Sequence, residues 1–189
     1  MTQNQALIPQ YLILRGNKII ENVVTVSMGV VLMGALAQIT IQLPWTPVPI
    51  TGQTFGVALV SLLWGGKRGL AVMLGYLGAG GLGFPVFAMG GSGISLGPTL
   101  GYLLGMTAAS YWMGWLSDIG WTKTFMRTYL TAFSGSVITF FCGIVGLSFF
   151  VPTENLFMAG VLPFLPGDLI KTVLAASLAH KLQTSMEKK

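Results

Sequence analysis

Long runs of apolar residues dominate the chain, and the short connections between them hold most of the polar positions. A helix that crosses a membrane needs about 20 predominantly apolar residues. Six runs approach or exceed this length, at 23–43, 51–64, 69–88, 96–116, 129–151 and 160–182. The second run is short, which fits a helix with little tilt or a locally thin membrane. The pattern predicts an all-α membrane protein with six transmembrane helices.

The composition excludes an ordinary soluble domain. Only 8% of the 189 residues are charged and 53% are hydrophobic, whereas about 25% of a soluble domain is charged. We expect a single transmembrane domain at 23–182, preceded by a segment at 1–22 and followed by a tail at 183–189. A cleavable signal peptide is not expected, because the first strongly apolar run begins after Glu21 and is too long.

Nine of the ten basic residues lie near the chain ends or in every second connection. They are Arg15, Lys18, Lys67, Arg68, Lys123, Arg127, Lys181, Lys188 and Lys189. With six crossings they all fall on one side, and the connections at 44–50, 89–95 and 152–159 contain no lysine or arginine. Short basic loops stay in the cytoplasm, so both termini are predicted to be cytoplasmic. A basic rim beside anionic lipid also explains the net charge of +5 without a nucleic-acid partner.

Small residues recur four positions apart in several runs. Examples are Gly52 with Gly56, Gly101 with Gly105 and Ala109, and Gly135 with Thr139 and Gly143. This spacing places small side chains on one helix face and lets two backbones approach closely. We expect these faces to pack within the bundle rather than against a partner protein.

The predicted external connections have an unusual composition. Residues 43–55 contain three prolines, residues 83–99 are rich in glycine and end at Thr99, and a third segment ends with residues 163–168. Prolines stiffen such segments because each fixes φ. The aromatic residues in them are Trp45, Phe84, Phe87 and Phe164. They fit an aromatic belt at the membrane surface or the walls of a ligand pocket.

Asp168 and Lys171 are the sharpest chemical feature. Pro166 suits a first helical turn, so the sixth helix is predicted to begin there. The two charges then share a helix face, with Lys171 about one turn deeper in the membrane. Buried charges in a membrane mark functional sites, although a structural ion pair is the alternative. The pair suits a neutral polar ligand that has both N–H donors and a carbonyl acceptor.

Three more polar residues are predicted near the same mouth. Thr51 and Gln53 begin the second run, and Tyr102 lies in the outer third of the fourth. Each suits a wet pocket or a hydrogen bond to a neighbouring helix backbone. Asp118 and Glu154, by contrast, are expected to be solvated near loops.

Several kinds of chemistry are not expected from this sequence. It has no phosphate-binding loop motif, and a single histidine, His180, and a single cysteine, Cys142, are too few for a metal centre or a nucleophile–base set. We therefore expect no cofactor and no enzymatic activity. A bundle without its own energy source suggests a binding subunit that uses energy from partners.

Four segments together resemble the BioY family of biotin transporters, the substrate-capture (S) components of energy-coupling factor (ECF) transporters. They are 47–55 (PVPITGQTF), 81–88 (GLGFPVFA), 97–105 (GPTLGYLLG) and 166–171 (PGDLIK). The resemblance covers about 30–182 and implies a six-helix bundle in the bacterial cytoplasmic membrane with an outward-facing biotin pocket. It also implies a transmembrane coupling (T) protein and two ATP-hydrolysing subunits as partners.

The resemblance also implies roles for particular residues. In the family, the Asp and Lys of the last motif contact the bicyclic head of biotin, and Gln53 and Tyr102 match positions near the ligand. The expected substrate-binding residues are Asp168, Lys171, Gln53, Tyr102, Thr51, Trp45, Phe87 and Thr99.

The chain departs from the family pattern at two places. S components carry an Ala-x-x-x-Ala face for docking on the coupling protein, and here the nearest pair in the first run is Thr25 and Gly29. Leu100 stands where the family often has glycine, and it is interpreted as a packing position. Three alternatives stay open: an S component for another vitamin, a passive facilitator, and a structural subunit in which Asp168 and Lys171 only pair.

Overall fold

The computed structural model describes residues 18–93 and 96–187. Within these ranges the α-helices are α1 (Lys18–Gln38), α2 (Gln53–Trp64), α3 (Gly66–Gly81), α4 (Leu100–Asp118), α5 (Phe125–Leu147), α6 (Leu156–Gly160) and α7 (Leu165–Glu187). Short 3-10 turns occur at Ala88–Gly90, Trp121–Lys123 and Thr153–Asn155. All helices except the five-residue α6 correspond, in order, to the six predicted runs.

Helix boundaries differ from the prediction where local capping decides them. The third helix ends at Gly81 rather than 88, because Gly83 adopts a left-handed φ of 97°. The amide of Gly83 then donates to the Gly80 carbonyl at 3.0 Å, and the amide of Phe84 donates to the Ala79 carbonyl at 3.1 Å. This is a Schellman motif, which satisfies the last carbonyls and stops the helix.

The short helix α2 lies at the centre of the bundle and packs against α1, α3, α4, α5 and α7. Its residues are buried along most of its length, so it needs little lipid-facing surface. The buried core around it includes Val57, Val60, Leu62, Val72, Met73, Met106 and Met113. A central helix of 12 residues is therefore compatible with the bundle.

The spacing of small residues is used for packing within the chain, as predicted. A Cβ at Gly101 would lie 2.5 Å from the Cys142 carbonyl oxygen and 2.8 Å from the Gly146 Cα. A Cβ at Gly105 would lie 2.9 Å from the Thr139 carbonyl oxygen. Helices α4 and α5 thus touch backbone to backbone, which larger side chains would prevent.

Contacts at one end of the bundle bring several basic segments together. Arg68 forms an ion pair of 3.1 Å with Glu21, and the Gln183 side chain donates to the Leu62 carbonyl at 3.2 Å. The ion pair joins the start of α1 to the start of α3. The hydrogen bond joins the end of α7 to the end of α2. That this end faces the cytoplasm stays a prediction, and Arg15, Lys188 and Lys189 lie outside the described residues.

Asp118 is not simply solvated, contrary to the prediction. Its carboxylate accepts the backbone N–H of Gly66 at 2.9 Å, at the beginning of α3. Gly65 precedes this point with a left-handed φ of 81°. A carboxylate at a helix N-terminus satisfies a free amide and complements the helix dipole. Asp118 therefore fixes the tight turn between α2 and α3.

Two helices of the described chain are long and apolar enough to cross a membrane, namely Ile19–Gln38 and Phe125–Leu147. A third span is possible if Thr153–Gly160 and Leu165–Ser185, bent by 42°, count as one. The all-α membrane bundle is confirmed. Six crossings with both termini in the cytoplasm remain a prediction, as do the domain limits at 1–22 and 183–189.

Candidate functional site

A small hairpin shapes the proline-rich connection after α1, a feature that the sequence did not predict. Strands β1 (Thr40–Ile41) and β2 (Ile50–Thr51) pair antiparallel, with Thr40 opposite Thr51. The hydroxyl of Thr46 in the intervening loop donates to the Ala159 carbonyl at 2.7 Å. The loop is thus held at both ends, and Thr51 has a defined position at the entrance to α2.

Gly52 lets the hairpin and α2 approach α1. A Cβ at this position would lie 2.5 Å from the Leu36 carbonyl oxygen, and the Gly52 amide donates to the Ile39 carbonyl at 2.9 Å. Close backbone contact of this kind requires glycine. It places Thr51 and Gln53 beside the other helices of the site.

A cavity of about 430 Å³ lies between these connections and helices α2, α4, α5 and α7. This volume is within the range of small-molecule sites, about 300–1,000 Å³. Seven of the eight predicted site residues line it: Thr51, Gln53, Phe87, Thr99, Tyr102, Asp168 and Lys171. Apolar walls come from Val48, Leu77, Leu103, Met106, Phe140 and Phe164.

Trp45 is not among the residues around this cavity. It is 65% exposed and lines a separate groove together with Pro47, Met158 and Pro163. Phe84 is also exposed and lies outside the cavity lining. Of the four aromatic residues in the predicted external connections, the structure brings only Phe87 and Phe164 to the cavity wall.

Asp168 and Lys171 both reach the cavity from the first turns of α7, where Pro166 also lies, as the sequence predicted. Asp168 is only 5% exposed, and the hydroxyls of Ser136 and Thr172 interact with its carboxylate. The ammonium of Lys171 donates to the Thr51 carbonyl at 2.7 Å. No Asp168–Lys171 contact within 4.0 Å occurs among the described residues. The charges attract each other but keep separate hydrogen-bond partners.

Consecutive hydrogen bonds among Thr51, Gln53 and Tyr76 support this arrangement. The hydroxyl of Thr51 donates to the Gln53 side-chain oxygen at 2.9 Å. The Gln53 amide nitrogen in turn donates to the hydroxyl of Tyr76 at 2.7 Å. Buried polar side chains that are mutually satisfied hold a fixed geometry. Thr51 and Gln53 are therefore oriented before any ligand enters.

Tyr76, Ser136 and Thr172 were missed by sequence reasoning. Tyr76 is fully buried and packs edge-on against Phe87, with ring centroids 5.3 Å apart. Each of the three is a hydroxyl-bearing residue inside an apolar run, and this was the signal that the sequence offered. For Thr172, a further signal was its spacing of four residues from Asp168, which places both on one helix face.

Tyr102 bonds to a neighbouring backbone and also lines the cavity. Its hydroxyl donates to the Gly160 carbonyl at 2.7 Å, and its ring lies against Gly143, where a Cβ would clash. Phe164 packs between Tyr102 and Phe140, at centroid distances of 6.2 and 6.4 Å. The small residues of α5 thus make room for an aromatic wall.

The structure also places the two departures from the family pattern, Leu100 and the pair of Thr25 and Gly29. Leu100, which was interpreted as a packing position, also lines the cavity. Thr25 is buried, and a Cβ at Gly29 would clash with Trp64. The small-residue pair of α1 that comes nearest to the family pattern therefore packs inside the bundle, and the surface for a coupling protein stays unassigned.

Gln38, at the end of α1, holds the second external connection in place. Its side-chain nitrogen donates to the Phe87 carbonyl at 3.0 Å, and its side-chain oxygen accepts the Gly90 amide at 3.0 Å. Between them, Met89 has a left-handed φ of 60°, which is unusual for a residue other than glycine. Phe87, Ala88 and Met89 all line the cavity. Gln38 thus fixes one wall of the site.

Replacing Gln38 by leucine is expected to raise the hydrogen-exchange rate of the amides at 87–91 by roughly tenfold. Of the three hydrogen bonds of the Gln38 side chain, the two to this segment contribute about 1 kcal/mol each at most, because both are exposed to water. Exchange mass spectrometry on the purified protein measures this rate. Gln183→Leu is the matched control, since it removes one side-chain bond at the other end of the bundle. Unchanged exchange at 87–91 would show that Gln38 does not hold this segment.

The groups around the cavity are suited to binding a small polar molecule. Among residues 18–93 and 96–187, no group of three or more His, Cys, Asp or Glu side chains is arranged to hold a metal ion. What the cavity offers is a carboxylate, an ammonium and fixed hydroxyl and amide groups within apolar walls.

The fold and the cavity are those of an integral membrane protein of the cell membrane with a cavity of small-molecule size between its helices. The family model described as the BioY family matches residues 4–188, which covers nearly the whole chain. The chain therefore belongs to the BioY family, as the four sequence segments suggested.

Relatives with similar sequences cover most of the chain. A probable biotin transporter BioY of Pyrococcus horikoshii is 36% identical over 165 residues, which is 86% of this chain and 96% of that protein. The biotin transporter BioY of Thermotoga maritima is 35% identical over 76% of this chain and 85% of its own length.

A solved structure has the same fold. It is the crystal structure of the S-component for biotin from an ECF-type ABC transporter, and it matches with a TM-score of 0.81 at 23% identity. The match covers 90% of this chain and 95% of that chain.

Proposed function

We propose that this chain captures biotin at the outer face of the membrane with high affinity and delivers it inward. The observation that carries the proposal is the pair of Asp168 and Lys171 at the wall of a 430 Å³ cavity. The names of the relatives, biotin transporters, supply the identity of the ligand.

The cavity chemistry supports a cyclic urea as the ligand. The ureido ring of biotin has N–H donors and a carbonyl acceptor. Asp168 accepts from the N–H groups, and Lys171 donates to the carbonyl in place of, or in addition to, its bond to Thr51. The thioether ring lies against the apolar walls, with Phe164 and Phe140 nearby.

We further propose that the chain works as the S component of an ECF transporter. Its partners are a transmembrane coupling protein and two ATP-hydrolysing subunits, and the chain itself catalyses no reaction and needs no cofactor. Similarity to an S-component from an ECF-type ABC transporter supports this assembly. The termini lie in the cytoplasm, so that the basic end of the bundle faces the anionic inner leaflet.

The alternatives carry less support. In a purely structural pair, the two charges would bond directly to each other, whereas Lys171 is bonded to the Thr51 carbonyl. A passive facilitator needs no fixed set of hydrogen-bonding groups, whereas Thr51 and Gln53 are held by hydrogen bonds at the cavity wall. The chemistry of the cavity is equally compatible with an S component for another vitamin. The names of the relatives favour biotin.

Calorimetric titration of the purified, detergent-solubilised chain with biotin tests the proposal. We expect saturable binding with about one biotin per chain, because one cavity holds both charged residues. Riboflavin and thiamine, added to separate samples, are expected to give no heat of binding. Folded protein that does not bind biotin would contradict the proposal, and heat of binding with riboflavin or thiamine instead would identify an S component for another vitamin.

A further inference from the structure

All the charge in the cavity wall lies on one helix. Asp168 and Lys171 are both on α7, and the other described lining residues are neutral. Residues 94 and 95, which complete the nearby connection, are isoleucine and serine. The two formal charges of the described wall therefore cancel, and both lie on the same helix.

The remaining polar lining residues are neutral: Gln42, Thr51, Gln53, Thr54, Ser92, Thr99, Tyr102 and Thr139. Gln42 and Ser92 come from the two external connections. The turn at Ala88–Gly90 packs on α1, whereas α7 packs against α2 and α5. A ligand whose ring lies at Asp168 and Lys171 thus extends toward neutral side chains and the mouth between the connections.

Biotin has two chemically different ends, a neutral cyclic urea and a carboxylate at the end of an alkyl tail. Burying a carboxylate without a counter-charge is strongly unfavourable. The one ammonium of the wall is beside the Asp168 carboxylate and already bonded to the Thr51 carbonyl. Lys171 is therefore positioned to bind the ring of biotin rather than the carboxylate of its tail.

We infer that the site selects cyclic ureas by their ring and does not recognise the charge of the tail. The end of the tail lies toward the mouth, where Gln42, Ser92 and water solvate it. The substrate class then includes biotin derivatives with small uncharged tails, such as the primary amide and the methyl ester. This inference rests on the proposed function and defines which part of the ligand the site recognises.

The test is competition against tritiated biotin on the purified, detergent-solubilised wild-type chain. The primary amide of biotin is expected to have a Kd within tenfold of that of biotin. Valeric acid, which has the tail without the ring, is expected to cause no displacement at the same concentrations. An amide that binds more than tenfold more weakly than biotin would overturn the inference, and so would displacement by valeric acid.

A Lys171→Met variant measured with both ligands gives a second readout. If Lys171 serves the ring, biotin and its amide lose affinity by the same factor. If biotin loses at least tenfold more than the amide, Lys171 binds the carboxylate and the inference is wrong. Should the variant fail to fold, the wild-type comparison still decides. Wild-type protein without biotin binding would remove the proposed function together with the inference, whereas tight biotin binding without amide binding removes the inference alone.

Discussion

Replacing Asp168 by asparagine is expected to weaken biotin binding by about a hundredfold. The carboxylate is the only anionic group in the described cavity wall, and hydrogen bonds to a charged group contribute about 1.5–3 kcal/mol each. A loss of about 2.7 kcal/mol corresponds to a hundredfold in Kd. The asparagine keeps the size of the side chain, so the cavity retains its shape while Lys171 loses its neighbouring negative charge.

The measurement is calorimetric titration of the variant beside the wild-type protein. Glu154→Gln is the matched control, because it removes an exposed carboxylate outside the cavity. The control is expected to bind biotin like the wild-type chain. If the folded Asp168→Asn protein bound biotin within threefold of the wild-type Kd, the carboxylate would not be the acceptor for the ureido ring.

A methyl group at Gly101 is expected to destabilise the bundle by about 2–3 kcal/mol. The added Cβ would meet backbone atoms of α5 at 2.5 and 2.8 Å, so the helices must move apart. Overpacking of this kind typically costs about 1–3 kcal/mol. For a chain of this size the melting temperature should fall by roughly 5–10 °C. Because Leu100 and Tyr102 flank Gly101 and line the cavity, biotin affinity should fall as well.

Gly78→Ala is the matched control, since a Cβ there would meet nothing within 4 Å. It lies inside α3 with ordinary helical geometry, so alanine should leave the melting temperature unchanged or raise it slightly. Thermal unfolding in detergent, followed by intrinsic fluorescence, measures both variants. Equal melting temperatures for Gly101→Ala and Gly78→Ala would mean that the contact between α4 and α5 is more adaptable than the structure indicates.

Sequence reasoning predicted the site well where the residues lie on one helix. Asp168 and Lys171 are three residues apart, and helical geometry alone places them on a common face. It predicted less well where a residue belongs to a connection. Trp45 and Phe87 were treated alike as aromatic residues of external loops, yet only Phe87 packs against Tyr76 and reaches the cavity.

The sequence by itself determined the class of the fold, the order of the helices and the charged pair on the last of them. Apolar runs, breaker residues and helical spacing are local properties, so they are readable along the chain. Only the tertiary structure decided that Lys171 bonds to the Thr51 carbonyl, 120 residues away, and that Gln38 holds the turn around Met89. Those contacts depend on how closely the helices approach, which is set by the packing of all of them together.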